Sequence, residues 1–201
     1  MGIVIYQRMI RRTPFRWSLL AWSLLAIVIF ALCATHVPVR AESGSNNVYL
    51  PLVTTSPPAW QPNTQELELE ALFRDDPDQQ RSALSRNDTL AQVARARAAD
   101  MADRAYFGHE TPEGYMANYL VESAGYLLPS YYPDNGNNVE SIALNYPTAA
   151  DVWAAWSKSA GHRPHIMGEE TFYAEQNEYG IGYAENANGR YWVLITAKHG
   201  P

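Results

Sequence analysis

An uncharged apolar run near the N-terminus limits how much of this chain can fold as a globular domain. Residues 17–35 contain no charged side chain, and Arg8, Arg11, Arg12 and Arg16 precede them. A basic flank before an apolar run predicts that the basic end stays inside the cell and that everything after the run is exported. The run has nearly the length that spans a bilayer, whereas Val39-Arg-Ala41 offers small residues for signal cleavage. Residues 1–41 are therefore predicted to be either an export signal or an N-terminal membrane anchor. In both cases this segment engages the membrane, and the protein is secreted or anchored with its domain outside the cytoplasm.

The cysteine content and the charge argue against a disulfide-stabilised domain and against a nucleic-acid-binding protein. The single cysteine, Cys33, lies inside the apolar run, so the exported part can form no disulfide and must be stabilised by its core. From Thr64 onward the chain has 20 acidic residues against 10 lysines and arginines. A nucleic-acid partner is therefore not expected, because a phosphate backbone needs clustered basic side chains.

The rest of the chain divides into a spacer and one domain. Residues 42–63 mix Ser, Asn, Thr and Pro with one short apolar patch and are predicted to be a flexible spacer. Helical periodicity then predicts helices over about 64–75, 87–104, 116–123 and 148–161. The many alanines of the second helix imply close packing, and Arg97 near its apolar face needs either an edge position or a buried acidic partner.

The last predicted elements are strands. Residues 178–185 and 191–197 alternate in polarity around Asn186-Ala-Asn-Gly189, whose Asn-Gly pair suits a tight hairpin turn. Helices first and strands last predict an α+β domain over residues 64–201 rather than βαβ repeats.

Three polar residues are candidates for a site. His109 follows a predicted helix in a glycine-containing turn, Glu140 lies in Asn137-Asn-Val-Glu140, and His162 lies just past the helix that begins near Thr148. A helix C-terminus favours a protonated imidazole at His162 unless a metal or a neighbouring donor claims the ring. Two imidazoles, a carboxylate and a water would suit Zn²⁺ or another divalent metal, although a polar cleft without metal explains the same residues.

Several motifs in consistent order resemble the CAP superfamily, which groups cysteine-rich secretory proteins, antigen 5 and plant pathogenesis-related proteins. The motifs that carry the resemblance to its bacterial branch are Asp100-Met-Ala-Asp-Arg-Ala-Tyr-Phe-Gly-His109, Thr111-Pro-Glu-Gly114, Val139-Glu-Ser-Ile-Ala143, Trp156-Ser-Lys-Ser-Ala-Gly-His-Arg163, Tyr179-Gly-Ile-Gly-Tyr183 and Tyr191-Trp-Val193. The resemblance covers about residues 66–197. It implies a three-layer α-β-α sandwich with a broad cleft and with the C-terminal antiparallel hairpin in the central sheet.

The resemblance also implies a set of cleft residues. His109, Glu140 and His162 match the two histidines and the acidic residue of the family's Gly-Glu-Asn motif, which here reads Val139-Glu-Ser141. The family's second cleft acid falls on Ser159, so Glu113 is the candidate for a second carboxylate. Ser141, Ser159 and Glu113 are therefore predicted to line the cleft.

The resemblance and the candidate cleft residues are compatible with two functions. The first is a non-enzymatic extracellular binding module whose cleft holds a divalent metal or a small ligand, with lipid, glycan or protein as the partner. The alternative is a metal-dependent, peptidase-like hydrolase in which Glu113 accepts a proton from a metal-bound water. No Gly-x-Ser-x-Gly elbow and no His-Glu-x-x-His motif is present, which leaves nucleophilic and zincin chemistry without support. The binding module is the preferred hypothesis.

Overall fold

The computed structural model describes residues 60–201. The predicted export or anchor segment, Cys33 and nearly all of the predicted spacer lie outside these residues. Within them, no helix is both long enough and apolar enough to cross a membrane.

The described part of the chain begins with helices and ends with a β-hairpin. The helices are α1 Thr64–Asp75, α2 Asp88–Asp103, α3 Ala117–Ser123, α4 Ala149–Lys158, α5 Arg163–Met167 and α6 Thr171–Ala174. The strands are β1 Ser85–Arg86, β2 Glu140–Leu144, β3 Glu178–Asn186 and β4 Gly189–Ala197.

Side-chain caps explain where the three longest helices start. Asn63 caps α1 and exchanges hydrogen bonds with Glu66 in a capping box, so the cap lies one residue before the expected Thr64. Asn87 caps α2 and Thr148 caps α4 through their side-chain oxygens. The starts of the long helices are thus determined by local sequence.

The four strands form one mixed sheet in the order β1-β3-β4-β2. The hairpin strands β3 and β4 are central and antiparallel, with Glu178 opposite Ala197. Strand β1 pairs parallel with the start of β3, and β2 pairs antiparallel with β4 so that Glu140 lies opposite Ile195. Strand β2 is therefore an edge strand, and Glu140 lies at its beginning.

Alternation along the strands builds a core on each face of the sheet. On β4, Val193 and Ile195 belong to the core that contains α2 and α3, whereas Trp192 and Leu194 belong to the core that contains α1, α4 and α5. Helices therefore cover both faces of the sheet, which confirms the predicted α-β-α arrangement.

Two local expectations need correction. Strand β2 was not predicted. It is short, and four of its five residues are buried, so its sequence lacks the polar-apolar alternation of a half-buried strand. The helix that was expected to reach residue 161 ends at Lys158, and a separate helix, α5, begins after His162. Pro164 fits into the first turn of α5, where proline is tolerated.

Candidate functional site

A polar cavity of about 230 Å³ lies where β2 begins, between the loop that carries His109 and the start of α5. Among its lining residues are His109, Asn137, Glu140, Ser141, His162 and His165. The fold thus brings the predicted His109, Glu140, His162 and Ser141 to one cavity, although 53 residues of chain separate His109 from His162.

Both carboxylate oxygens of Glu140 already have partners. Oε2 accepts a hydrogen bond from Nδ1 of His109 at 2.8 Å, and Oε1 accepts one from Nε of Arg97 at 3.2 Å. The side chains of Glu140 and Arg97 are almost completely buried, whereas that of His109 is 40% exposed. Arg97 therefore has a buried acidic partner, one of the two alternatives expected for its place on α2, and His109 is held by one ring nitrogen at the mouth of the cavity.

His162 precedes α5 and packs against α4. Its ring stacks on Trp156 with centroids 6.1 Å apart, and Nδ1 is hydrogen-bonded to Oγ of Ser159 at 2.9 Å. Burial and, second, the nearby His109 lower the pKa of His162 below its usual value. The expected protonated imidazole is thus corrected, because α4 ends four residues earlier and burial favours the neutral ring.

The cavity has a third histidine in its lining, which was not predicted as a site residue. His165 on α5 is buried, with Nδ1 2.7 Å from Oγ of Ser141 and Nε2 2.7 Å from Oγ1 of Thr196. Thr196 donates its own proton to Oε1 of Gln176 at 2.6 Å, so it must accept from Nε2–H of His165. Nδ1 of His165 consequently accepts the Ser141 hydroxyl proton. Burial lowers the pKa of His165 to about 3, with a smaller contribution from Arg81, so this ring is neutral and structural.

One polar atom in the cavity wall has no partner. Oδ1 of Asn137 is buried and forms no hydrogen bond with any residue from 60 to 201. Buried carbonyl oxygens are normally satisfied, so an unpaired one at a cavity marks a place for a hydrogen-bond donor. The segment that contains Asn137 was a candidate because of Glu140, and no pattern in the sequence distinguishes Asn137 itself.

The structure places the other two predicted cleft residues differently. Ser159 lines an adjoining apolar groove of about 390 Å³ together with His162, Phe107, Tyr146 and Trp156. Glu113 lines a separate cavity between α2 and α3, is half-exposed, and forms an ion pair with Arg104. Its hydrogen bonds with Arg104 hold the pKa of Glu113 below its usual value, which makes it a weaker base. The geometry therefore does not bring Glu113 together with the two histidines.

Removing the charge of Glu113 should leave the cavity at β2 unaffected. If that cavity binds Zn²⁺, we expect Glu113→Gln to change the affinity by less than about twofold and to leave stability essentially unchanged, because the Arg104 pair is a surface ion pair. Calorimetry and thermal unfolding would measure the two quantities. A loss of Zn²⁺ binding in Glu113→Gln would show that Glu113 does act at the cavity.

The side chains that line the cavity determine which ligands it offers to a metal. Between residues 60 and 201, no group of three or more His, Cys, Asp or Glu side chains is arranged to hold a metal ion. Both oxygens of the Glu140 carboxylate accept hydrogen bonds, one from Arg97 and one from His109. Each imidazole is anchored through Nδ1, and neither Nε2 is hydrogen-bonded to another described residue. Around bound metals a carboxylate commonly orients a ligating histidine, and Glu140 holds His109 in the same way.

Comparison with known proteins places the chain in a family. The model of the cysteine-rich secretory protein family, CAP, matches residues 72–196. The chain is 30% identical over 160 residues to the YkwD protein of Bacillus subtilis, and the match covers 80% of this chain and 54% of that protein. The chain thus spans about half the length of this relative.

Two solved structures align with this chain. An outer surface protein of Borrelia burgdorferi aligns with a TM-score of 0.51 and 16% identity, covering 68% of this chain and 96% of that one. An extracellular protein with an SCP domain from Bacillus anthracis aligns with a TM-score of 0.45 and 19% identity, covering 57% of this chain and 33% of that one. Because the family model spans most of the described residues, from α1 to β4, this chain belongs to the cysteine-rich secretory protein (CAP) family.

Proposed function

We propose that this protein is an exported, non-enzymatic binding module and that its polar cavity binds a divalent cation through His109 and His162. The observation that carries the proposal is the state of the two imidazoles, each held by Nδ1 and each with Nε2 free of any partner among the described residues. Imidazole nitrogen is a good ligand for Zn²⁺ and for several other divalent metals.

The protonation state of His162 supports the same proposal. A histidine must be deprotonated before it can ligate a metal. The lowered pKa of His162 keeps that ring neutral at neutral pH. The cavity therefore does not have to release a proton from His162 before it binds a cation.

Glu140 and Asn137 have supporting roles in this proposal. Glu140 orients His109 through Nδ1, and the unpaired Oδ1 of Asn137 could accept a hydrogen bond from a water molecule on the cation. In this proposal neither residue has to give up a hydrogen bond that it makes with a described residue.

An extracellular location supports a binding role outside the cell. The predicted export or anchor segment would carry the domain across the membrane, and a protein of similar fold is named as an outer surface protein. The hydrolase hypothesis has no such support from the geometry, because Glu113 does not line the cavity.

Calorimetric titration tests the proposal. The full-length protein, kept in solution by a mild detergent and stripped with a chelator, is titrated with Zn²⁺ beside a His109→Ala/His162→Ala double variant. We expect about one equivalent of Zn²⁺ to bind and this binding to disappear in the double variant.

A His199→Ala variant is the matched control. His199 packs against Tyr126 near the C-terminus and does not line the cavity, so this variant should bind Zn²⁺ like the unmodified protein. Equal binding by the double variant, or no binding by the unmodified protein, would contradict the proposal.

A further inference from the structure

Strand β2 has a free edge, because within residues 60–201 it pairs only with β4. The backbone hydrogen bonds at the two ends of this pairing run from Thr196 to Val139 and from Asn145 to Arg190. In an antiparallel pair the residues that bond to the partner strand alternate with residues that do not. The odd-numbered residues of β2 therefore bond to β4, and the N–H and C=O groups of the even-numbered residues point to the free edge.

Two backbone donors on the free edge of β2 have no partner. The N–H groups of Ile142 and Leu144 form no hydrogen bond with any described residue. The carbonyl oxygen of Ile142 accepts a hydrogen bond from Nε1 of Trp156 at 3.1 Å, so α4 reaches this edge from one face of the sheet. Backbone N–H groups in recessed places are normally paired, and Ile142 is only 5% exposed. The edge therefore offers its donors to a backbone that carries acceptors.

The apolar groove of about 390 Å³ adjoins this edge. Its lining includes residues 142–144 of β2, Ala155 and Trp156 of α4, and Phe107 from the loop after α2. His162 lines both this groove and the polar cavity, so the two adjoin each other. Natural proteins usually protect a free edge with charged residues or proline, and residues 142–144 contain neither. Strand β2 is thus open to pairing.

An extended peptide fits both the edge and the groove. The two free N–H groups are two residues apart in a strand, which corresponds to about 6.6 Å. An extended backbone presents carbonyl oxygens along one edge at the same interval, and its side chains alternate between the two faces of the sheet. Apolar side chains of such a peptide would contact Phe107 on one side of the edge and Trp156 on the other.

The charge of the domain selects among such peptides. From Thr64 onward 20 acidic residues stand against 10 lysines and arginines. A negative domain attracts basic segments and repels acidic ones, and this effect weakens as the salt concentration rises. A peptide with basic residues beside its apolar part is therefore complementary to this protein.

We propose that the groove at β2 binds an extended, mainly apolar peptide segment with basic flanks, which joins the sheet beside β2 as a further strand. In this mode of recognition the main-chain hydrogen bonds supply affinity and the groove selects side chains. The inference rests on the proposed function because it names the partner of the binding module. It does not require a cation in the polar cavity.

Titration with synthetic peptides tests the inference. The full-length protein, in mild detergent with a chelator, is titrated with acetyl-Lys-Val-Thr-Val-Thr-Val-Lys-amide, and titration into detergent alone is the blank. A second peptide has the same sequence with every valine and threonine N-methylated, which blocks strand pairing on both of its edges. A third has glutamate in place of both lysines. We expect the second and third peptides to bind at least about tenfold more weakly than the first.

Two variants with matched exposure locate the binding site. Phe107 is 46% exposed and lines the groove, whereas Leu67 on α1 is 47% exposed and does not line it. We expect Phe107→Ala to weaken binding of the first peptide at least about fivefold and Leu67→Ala to leave it unchanged. Equal effects of the two variants, or equal binding of the N-methylated peptide, would contradict the proposed strand pairing.

Hydrogen exchange in the unmodified protein tests the pairing without any variant. The first peptide should slow exchange of the Ile142 and Leu144 amides at least about tenfold, because these amides gain acceptors. Unchanged exchange at both amides, or no binding of the first peptide, would overturn the inference. Zn²⁺ binding without peptide binding would overturn this inference alone, whereas peptide binding without Zn²⁺ binding would overturn the cation site alone.

Discussion

Lowering the pH from about 6.5 to 5 is expected to destabilise the folded protein by about 1.6 kcal/mol through His165 alone. The pKa of this buried ring is lowered to about 3, whereas in the unfolded chain it returns to about 6.5. Between these two values the unfolded state binds more protons than the folded state. The stabilisation is therefore complete above pH 6.5, falls by up to about 1.4 kcal/mol per pH unit as the pH drops, and is fully lost near pH 3.

No charged group that faces His165 stabilises the protonated form of its ring. Ser141 from β2 and Thr196 from β4 occupy both ring nitrogens, and Tyr173 packs edge-on at 5.3 Å. Arg81, His162 and His109 all disfavour the protonated form electrostatically. Protonation of Nδ1 consequently requires the Ser141 hydroxyl to turn its own proton away and to accept from Nδ1–H instead.

Denaturant unfolding at several pH values, in the presence of a chelator, measures this dependence. His165→Gln keeps a donor and an acceptor near Ser141 and Thr196 and should lose most of the slope between pH 6.5 and 5. The comparison variant His162→Gln should lose less, because that ring is only half-buried. The window above pH 5 avoids the carboxylates, whose usual values lie near 4. An unchanged slope in His165→Gln would show that this ring does not cause the acid sensitivity.

The long elements of the fold were accessible from sequence because their signals are local. Cap residues at Asn87 and Thr148 mark helix starts, and Asn188-Gly189 marks the hairpin turn that β3 and β4 confirm. The strand β2 was not accessible, since a five-residue buried strand is defined by its partner β4 and not by its own pattern.

In the candidate site, the sequence likewise predicted some features and not others. The resemblance to a family pointed to His109, Glu140 and His162, and the fold brings all three to one cavity. What those residues do there depends on partners remote in sequence. The position of Arg97 near the apolar face of α2 indicated either an edge position or a buried acidic partner, and it did not identify Glu140. Nothing near His165 indicated that Thr196, 31 residues away, would fix its tautomer.

Glycine in β3 is expected to be the most sensitive position of the fold. Strand β3 passes so close to α2 that a Cβ atom at Gly182 would lie 2.1 Å from the carbonyl carbon of Ala94 and 2.2 Å from its oxygen. Gly180 meets the backbone of Ala91 in the same way, at 2.1 Å. The clash is between one backbone and another, so no side-chain rotation can relieve it, and α2 would have to move away from the sheet.

We therefore expect Gly182→Ala to cost about 3 kcal/mol or more and to lower the melting temperature by roughly 10 °C. Thermal unfolding of the two proteins measures the difference. Gly161→Ala serves as control, because the nearest atom to its added Cβ is 3.9 Å away, and it should have little effect. Adding Ala94→Gly to Gly182→Ala should not restore stability, since the obstructing atoms belong to the main chain and glycine itself weakens a helix. Restoration by Ala94→Gly would show that side-chain crowding, and not the close approach of α2 to β3, makes glycine necessary at position 182.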